Sequence, residues 1–455
     1  MIRLFNHYLP LRTLVLTLIE ALVLFQAMVL GFELRMLDRG TPLPLLEAGL
    51  FTGVMLLMMT GLGLYESQSE PFRIMLQRLL VAYLLTLVVL SVVFYVFPET
   101  YIGRGVFALT TLFAAGGVLL IRLVFFRITD VGLPKRRVLV VGNGAEAEEV
   151  IRFLNDEVRG RSIEYAGLYP VASRSLEESQ AQGYTRLLRT VRELRVSEIV
   201  IALRERRGGT MPLRELLDCK LKGIKVMDLV SFYEREKGLL KIDNLRASWL
   251  IFGAGFDRGV TRDVVKRIFD VAVSLLLLVL TLPILLLAML AIVVESGRPV
   301  FYRQERVGQG GKTFTILKLR SMRQDAEKDG KPKWAGAQDS RITRVGLFLR
   351  RTRIDELPQL FNVLRGDMSF VGPRPERPYF VEQLLADIPY YDVRHSVKPG
   401  VTGWSQVRYP YGASVEDALA KLQYDLYYVK NHSLFLDLLI LVDTVQVVLL
   451  GKGAR

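Results

Sequence analysis

Four apolar runs occupy most of the first 126 residues and limit the possible folds of this chain more than any other feature. They cover residues 13–32, 45–64, 74–97 and 106–126. Each run is long enough to cross about 30 Å of hydrocarbon as a helix. Hydrophobic residues make up 51% of the whole chain, which is high for a purely soluble protein. The sequence therefore predicts a membrane protein with an α-helical four-span bundle over residues 1–130.

Basic residues flank this bundle at both ends. Arg3 and Arg12 precede the first run, and Arg127 and Arg136 follow the fourth. By the positive-inside rule, both ends lie in the cytoplasm. The first run lacks a small-residue cleavage site, which favours an anchor over a removable signal peptide. Glu20 within it is costly in lipid, so we expect its side chain to face the bundle interior.

Residues 135–256 have the pattern of a Rossmann-like α/β domain. A buried strand leads into the glycine turn Gly142–Gly144 and then into a helix, and further strands are predicted at 164–168, 198–202 and 224–229. Dinucleotide binding needs an acid at the end of the second strand, to hold the ribose. That strand ends here in Leu168-Tyr169-Pro170. The domain is therefore predicted to be structural or regulatory.

A fifth apolar stretch, residues 268–294, contains Pro283. Lys266 and Arg267 precede it and Arg298 follows, so both flanks are predicted to be cytoplasmic. A helix that enters the membrane, kinks at the proline and returns to the same face satisfies both flanks. We therefore predict a re-entrant helix that keeps the soluble parts on one side of the membrane.

The charged residues, cysteines and histidines limit the kinds of ligand that this chain can bind. Residues 298–353 hold 15 Lys/Arg against 5 Asp/Glu, so most of the net charge of +14 arises there. Nucleic acid, anionic lipid and diphosphate substrates all suit such a stretch, and the neighbouring membrane segment favours the last two over nucleic acid. Cys219 is the only cysteine, which excludes an intrachain disulfide and a cysteine-based zinc site. The three histidines are too scattered to predict a metal cluster.

Two adjacent acids, Asp355 and Glu356, lie between a run of arginines and a predicted short helix. Pro358 suits the first turn of that helix, and Gly366 suits its C-terminal cap. The free N–H groups and dipole of a helix start favour anions. Upstream, residues 341–350 predict a basic amphipathic helix lying in the membrane surface. These residues indicate a cationic carboxylate site at a membrane, without identifying its reaction.

Residues 353–375 read Arg-x-Asp-Glu-Leu-Pro-Gln-Leu-x-Asn-Val-Leu-x-Gly-Asp-Met-Ser-x-Val-Gly-Pro-Arg-Pro. Further motifs follow the same order along the chain, at residues 297–304, 318–322, 398–404 and 424–428. Together they strongly resemble the bacterial polyprenyl-phosphate hexose-1-phosphate transferases, also called monotopic phosphoglycosyl transferases. The resemblance is dense over 262–455, which implies a catalytic domain there with the re-entrant helix 268–294. Upstream, the architecture resembles that of long-form members.

The resemblance implies a reaction and its main groups. Asp355 matches the nucleophile, which would form a phosphosugar-enzyme intermediate from a UDP-sugar and release UMP. Undecaprenyl phosphate in the bilayer would then accept the sugar-phosphate and prime an exopolysaccharide or O-antigen-like glycan. Glu356 matches the partner acid, and both acids are assigned to Mg²⁺. The implied location is the bacterial inner membrane, and the oligomeric state stays open, with a homodimer as one option.

The resemblance also implies roles for other residues, and this chain differs from the family pattern at two positions. The resemblance assigns Lys318, Arg320, Arg350, Arg374 and Asp437 to substrate binding. Many members have an arginine where this chain has Pro410, and Arg408 is the candidate replacement. Members also carry Ser-Pro at the re-entrant kink, whereas this chain has Leu282-Pro283, which lacks the hydroxyl.

Two other functions remain as alternatives. Tyr233 and Lys237 have the spacing of a short-chain dehydrogenase pair, and membrane-bound nucleotide-sugar dehydratases or epimerases combine a similar anchor with a Rossmann domain. The sheet before Tyr233 is too short for that family, so residues 233–237 are predicted to form a solvated helix turn. A non-catalytic scaffold for polysaccharide enzymes is the second alternative.

Overall fold

The computed structural model of the protein describes residues 2–4, 7–36, 43–65, 72–132, 135–157, 163–171, 186–203, 211–245, 247–252, 255–256, 259–324, 341–410, 412 and 414–450. Within them the chain forms an N-terminal helical bundle, a central sheet unit and a C-terminal unit, in that order. The tail 451–455 of the predicted catalytic range lies outside the described residues.

The N-terminal part is a bundle of apolar helices preceded by a short antiparallel hairpin. Its elements are β1 (Ile2–Leu4), β2 (His7–Leu9), α1 (Leu11–Met36), α2 (Leu45–Gly61), α3 (Phe72–Val96), a 3₁₀ turn (Pro98–Thr100) and α4 (Arg104–Gly132). Glu20 in α1 is fully buried, as predicted, and pairs with Arg122 of α4 at 2.6 Å. The Tyr65 hydroxyl donates to Glu20, and the Leu64 carbonyl accepts from Arg122. These partners compensate the buried charges inside the bundle.

The second helix is shorter than its apolar run. α2 ends at Gly61 after 17 residues, a length of about 26 Å at 1.5 Å per residue, against about 30 Å of hydrocarbon. Gly63 adopts a φ of +69° in the turn that follows, and Leu62 and Leu64 return to the bundle core. The helix in the second run is therefore three residues shorter than the predicted run, and it lies at the short end of the range of about 17 to 25 residues that can cross a membrane. The described helices that are long and apolar enough to cross are Leu11–Met36, Phe72–Val96, Arg104–Phe125 and Val260–Ser296.

The central sheet unit contains four parallel strands in the order β4-β3-β5-β6. Its elements are β3 (Arg136–Gly142), α5 (Ala145–Arg152), a π turn (Phe153–Glu157), β4 (Ile163–Tyr169), α6 (Arg186–Glu193), β5 (Glu198–Ala202), α7 (Leu213–Leu221), β6 (Lys225–Asp228), α8 (Leu229–Lys237), a 3₁₀ turn (Ile242–Asn244) and α9 (Ala247–Phe252). β3 and β5 are apolar and buried on both faces, as is typical of parallel sheets covered by helices. All four predicted strands are present to within about a residue.

Helix α8 is not a solvated turn, so that prediction was wrong. Tyr233 is buried against the sheet, and Glu234 is buried at the boundary with the C-terminal unit. Glu234 accepts from Lys430 at 2.7 and 2.8 Å and from Asn431 at 3.1 Å. Lys430 also lies 4.1 Å from the centre of the Trp249 ring. The charges are buried because their partners come from a distant part of the chain, which spacing within α8 does not reveal.

The C-terminal unit is a mixed structure built around one long helix. Its elements are α10 (Val260–Ser296), β7 (Phe301–Val307), a 3₁₀ turn (Gln309–Gly311), β8 (Thr313–Leu319), α11 (Arg344–Arg351), a 3₁₀ turn (Ile354–Glu356), α12 (Gln359–Arg365), β9 (Ser369–Val371), α13 (Pro378–Asp387), a 3₁₀ turn (Tyr391–Ser396), β10 (Gly400–Thr402), α14 (Trp404–Arg408), α15 (Val415–Asn431) and α16 (Leu434–Leu450). β7 and β8 form an antiparallel ribbon, and β9 pairs with β10 in parallel. The predicted amphipathic helix is present as α11, with Leu347 and Phe348 exposed beside its arginines.

Helix α10 remains helical through Pro283 over its 37 residues, so a change of direction there is a bend in one helix. Its buried residues are separated by four, eleven, three and four residues, which keeps them on a single face of the helix. They are Asp270, Ser274, Leu285, Ala288 and Ile292. The opposite face exposes large apolar side chains such as Val279 and Leu287. The stripe formed by these residues therefore contacts the protein both before and after Pro283, and the opposite stripe suits lipid.

Candidate active site

The two acids lie in a 3₁₀ turn between α11 and α12. Arg353 adopts the left-handed conformation, with a φ of +60°, and turns the chain at the end of α11. Pro358 caps the start of α12, and Gly366 ends that helix with a φ of +99°. The predicted proline start and glycine cap are therefore confirmed. The turn leaves Asp355 only 7% exposed and Glu356 8% exposed, although both side chains are ionisable.

Glu356 is surrounded by cations. Its Oε1 accepts from Lys318 Nζ at 3.0 Å and from Arg374 Nη2 at 2.9 Å. Arg353 lies 3.7 Å from its other oxygen. Burial alone raises the pKa of this carboxyl, but Lys318, Arg374 and Arg353 outweigh burial and hold the pKa of Glu356 well below its usual range. Glu356 is therefore an anion with its charge already compensated.

Asp355 is in a different state from its neighbour. Among the described residues, no hydrogen bond or ion pair within 4 Å reaches its carboxylate. Burial, followed by repulsion from Glu356, raises the pKa of Asp355 to about 6, against the opposing effects of Lys318, Arg350 and Arg374. The site thus contains one acid fixed by cations and one whose oxygens are available for reaction.

If Asp355 is the nucleophile that the resemblance implies, kcat/KM should fall about tenfold per pH unit below about pH 6, because attack requires the ionised carboxylate. A pH–rate profile measured with saturating Mg²⁺ and circular dichroism at each pH checks this. An acid limb centred near pH 4, the ordinary range of a carboxyl, contradicts the assignment.

The other predicted residues have different positions. Arg350 donates to the Ser321 hydroxyl at 2.9 Å, beside the acids. Arg320 is buried and donates to the Ser296 and Gly297 carbonyls, where it caps the end of α10. The structure therefore brings Lys318, Arg350 and Arg374 to the acids, and places Arg320 at a helix end.

Asp437 and Arg408 both belong to networks around α16. Asp437 is buried and accepts from Lys266 at 2.7 Å and from the Tyr428 hydroxyl at 2.8 Å. Arg408 lies 4.4 Å from the Trp404 ring centre and pairs with Asp443 at 2.9 Å. Asp437 therefore has two protein partners in a position that joins α10, α15 and α16.

Two further arginines, which contact the segment around Arg374, were not predicted as site residues. Arg306 of β7 donates to the Pro375 carbonyl at 3.0 Å, and burial lowers its pKa. Arg394 donates to the Arg374 carbonyl at 2.9 Å. Both side chains bind backbone carbonyls of the segment that carries Arg374. No sequence pattern predicts a contact of this kind.

The acid pair fits a divalent cation only together with a substrate. The described residues contain no group of three or more His, Cys, Asp or Glu side chains placed to hold a metal. Mg²⁺ is usually bound by one or two carboxylates together with substrate phosphates and water. Adjacent carboxylates in a cation-rich pocket match this donor set, so Asp355 and Glu356 are the residues that would hold the ion.

Comparisons with known proteins agree with these features. The profile of a family described as bacterial sugar transferase matches residues 261–451. A UDP-N-acetylgalactosamine-undecaprenyl-phosphate N-acetylgalactosaminephosphotransferase of Aeromonas hydrophila is 43% identical over 242 residues, which cover 53% of this chain and 56% of that relative.

Two relatives named UDP-glucose:undecaprenyl-phosphate glucose-1-phosphate transferase are also similar. The protein of Klebsiella pneumoniae is 35% identical over 344 residues, covering 72% of this chain and 71% of that relative. The protein of Caulobacter vibrioides is 47% identical over 199 residues, covering 43% of this chain and 73% of that relative. The similarity to the first of these two extends upstream of residue 261, beyond the part that the family profile matches.

Proposed function

Because the chain belongs to the bacterial sugar transferase family, we propose that it transfers a sugar-1-phosphate from a UDP-sugar to undecaprenyl phosphate. The contrast between the two acids carries this proposal. Glu356 is compensated by Lys318 and Arg374, whereas the Asp355 carboxylate is available for attack. The names of the relatives support both the UDP-sugar donor and the lipid acceptor.

In the first step, an Asp355 oxygen attacks the β-phosphorus of the UDP-sugar. The new bond joins that oxygen to phosphorus, and the bond from the β-phosphorus to the bridging oxygen breaks, so UMP leaves with the electron pair. In the second step, a phosphate oxygen of undecaprenyl phosphate attacks the same phosphorus and releases Asp355. Covalent catalysis of this kind divides one exchange between two anions into two steps.

Cations make the approach of two anions feasible. Phosphoryl transfer depends mainly on positioning and on neutralising charge at the phosphate oxygens. Arg374 is about a third exposed, so its guanidinium can face an incoming diphosphate while it contacts Glu356. Lys318 and Arg350 flank the same acids. Mg²⁺ held by Asp355 and Glu356 would supply further charge neutralisation.

The packing of α10 supports a re-entrant position in the membrane. Val273, Leu277 and Leu278, before the proline, pack on the core that contains Phe370. Leu285, Ala288 and Ile292, after it, pack on Leu319 and Leu349 of the same unit. A crossing needs about 20 residues surrounded by lipid or by other spans, whereas the longest interval of α10 between these packed positions is residues 279–284. Both halves of the helix therefore lie against one unit, as a helix that returns to the same membrane face would.

We expect both ends of α10 to face the cytoplasm. Cys219 is the only cysteine and is fully buried in an apolar core, so Cys219→Ala gives a background free of other thiols. In this background, cysteines are introduced at two exposed positions, as Asp263→Cys and Arg298→Cys. Both should react with a membrane-impermeant maleimide in inside-out vesicles. Neither should react in right-side-out vesicles.

Pro283→Leu is the matched variant for this labelling. It restores a backbone hydrogen bond and removes the ring clash, worth roughly 3 kcal/mol in a helix interior, and should move part of the population to a full crossing. Labelling of positions 263 and 298 from opposite sides in the parent background contradicts the re-entrant assignment.

The central sheet unit is proposed to be structural or regulatory. The Asn143 side chain in the glycine turn accepts from the Val171 backbone N–H at 3.1 Å, so the turn is tied to the segment after β4. That segment has no acid in the place where ribose recognition needs one. We assign the three units to domains 1–130, 135–256 and 262–455. We place the protein in the inner membrane, with its soluble parts in the cytoplasm.

One experiment tests the function. Purified protein in nanodiscs that contain polyprenyl phosphate and Mg²⁺ is given a panel of UDP-sugars, and both UMP and the lipid-linked sugar are quantified. Release of UMP without added nicotinamide supports the transferase and excludes a dehydratase or epimerase. Absence of UMP with every donor contradicts the proposal and leaves both alternatives, the nucleotide-sugar dehydratase or epimerase and the scaffold.

A further inference from the structure

The loop that carries Arg374 connects β9 to α13 and includes residues 372–375. Arg374 places its Nη2 2.9 Å from Glu356 Oε1, although the side chain is 34% exposed. Burial of the side chain itself therefore does not fix the guanidinium. Its position therefore depends on its contacts with other groups and on where the loop holds the backbone of Arg374.

The loop is held through backbone carbonyls just before its start and at its centre. Before it, the Val371 carbonyl accepts from the Tyr428 hydroxyl at 3.0 Å and from Lys266 Nζ at 3.2 Å. At its centre, the Arg374 carbonyl accepts from Arg394 Nη2 at 2.9 Å. The Pro373 carbonyl accepts from the Gly400 N–H at 3.0 Å. Among these contacts, the one from Arg394 lies on the same residue as the functional guanidinium.

Arg394 is itself fixed by buried partners. Its Nε and Nη2 donate to Asp425 Oδ2 at 3.1 and 2.7 Å, and its Nη1 donates to the Tyr391 hydroxyl at 2.7 Å. Asp425 is 1% exposed on α15, so the pair lies in the core of the C-terminal unit. The planar guanidinium thus has all three of its nitrogens engaged in a single geometry.

Stability is a poor explanation for this pair. In many proteins the free energy lost by desolvating a buried ion pair is as large as the free energy gained from its attraction. Apolar residues of similar size then stabilise the core equally well. A guanidinium held on both sides has a different property, because the second N–H of its Nη2 is then held in one direction. Here that donor points to the Arg374 carbonyl.

We propose that Arg394, oriented by Asp425 and Tyr391, is a positioning residue that sets the place of the Arg374 guanidinium beside Glu356. Arg394 acts through the backbone of Arg374 rather than on the substrate. The inference rests on the proposed function, since the diphosphate of the donor is what Arg374 would meet.

A double-mutant cycle between Arg394→Lys and Arg374→Ala tests this. Lysine keeps a charge near Asp425 but lacks the fork that reaches Tyr391 and the Arg374 carbonyl together. With Arg374 present, we expect Arg394→Lys to lower kcat/KM on the order of 10- to 100-fold and to raise KM for the UDP-sugar. In the Arg374→Ala background the same substitution should cost less than about threefold, because no guanidinium remains to be positioned.

Glu234→Gln is the matched control. It weakens another buried ion pair of α15, the one with Lys430, without contacting the Arg374 loop. Its effect on kcat should be equal in both backgrounds, with KM unchanged, since a loss of folded protein lowers kcat alone. Equal losses from Arg394→Lys in both backgrounds, with unchanged KM, overturn the proposal.

A measurement independent of turnover separates this inference from the proposed function. If the parent releases no UMP, the function fails, and a structure of the Arg394→Lys variant still decides the positioning. In that structure the Arg374 guanidinium should have left Glu356. An Arg374–Glu356 contact retained near 2.9 Å overturns the inference whatever the activity.

Discussion

Asp355→Asn is expected to lower the transfer rate by at least about a thousandfold, the scale for removal of a covalent nucleophile. An amide of nearly the same size leaves the buried turn between α11 and α12 intact but cannot attack phosphorus as a carboxylate does. Intact-protein mass spectrometry of the parent with UDP-sugar and Mg²⁺, and without lipid acceptor, should show a sugar-phosphate adduct that the variant lacks.

Asp387→Asn is the control for this substitution. Asp387 is an exposed acid at the end of α13, within the same unit, and its replacement should change neither the rate nor the adduct. An adduct of full yield on the Asp355→Asn variant would falsify the nucleophile assignment.

Glu356→Gln is expected to have the second-largest effect, a loss on the order of a hundredfold together with a weaker dependence on Mg²⁺. Its carboxylate compensates Lys318, Arg374 and Arg353, so neutralising it frees these cations to pair with Asp355. An Asp355 carboxylate paired in this way is a poorer nucleophile. The variant also lacks one of the two proposed ligands of the ion.

The pH profile separates this effect from simple misfolding. Glu356 raises the pKa of Asp355, so removing its charge lowers that pKa and moves the acid limb below about pH 6. The rate on the plateau should fall at the same time. A limb that stays in place, or a plateau rate equal to that of the parent, contradicts the division of roles between the two acids.

The sequence predicted features that depend on local pattern. Apolar runs placed α1, α3 and α4, and the turn residues Pro358 and Gly366 placed α12, because length, periodicity and caps are properties of neighbouring residues. The acids and Arg374 were found together because their motifs are contiguous. The length of α2 was overestimated since apolar residues continue past Gly61 into a turn that also packs in the core.

Features that depend on distant partners were not predicted. The charged run of α8 was expected in solvent because its counter-charge, Lys430, is 196 residues away. Asp355 and Glu356 could not be told apart by spacing, since their difference arises from Lys318 on one strand and Arg374 in a remote loop. The position of Arg320 at the end of α10 follows from tertiary packing alone.

The ion pair between Glu234 and Lys430 limits how the units of related chains can be exchanged. If the C-terminal unit is joined to a different upstream unit, Lys430 loses its anionic partner Glu234 and remains buried beside an apolar or unrelated surface. The Trp404 indole likewise loses the Gly238 carbonyl that accepts its N–H at 2.7 Å. In chains that contain both units, α8 and the end of α15 are therefore expected to be exchanged together, so that Glu234 stays matched to Lys430.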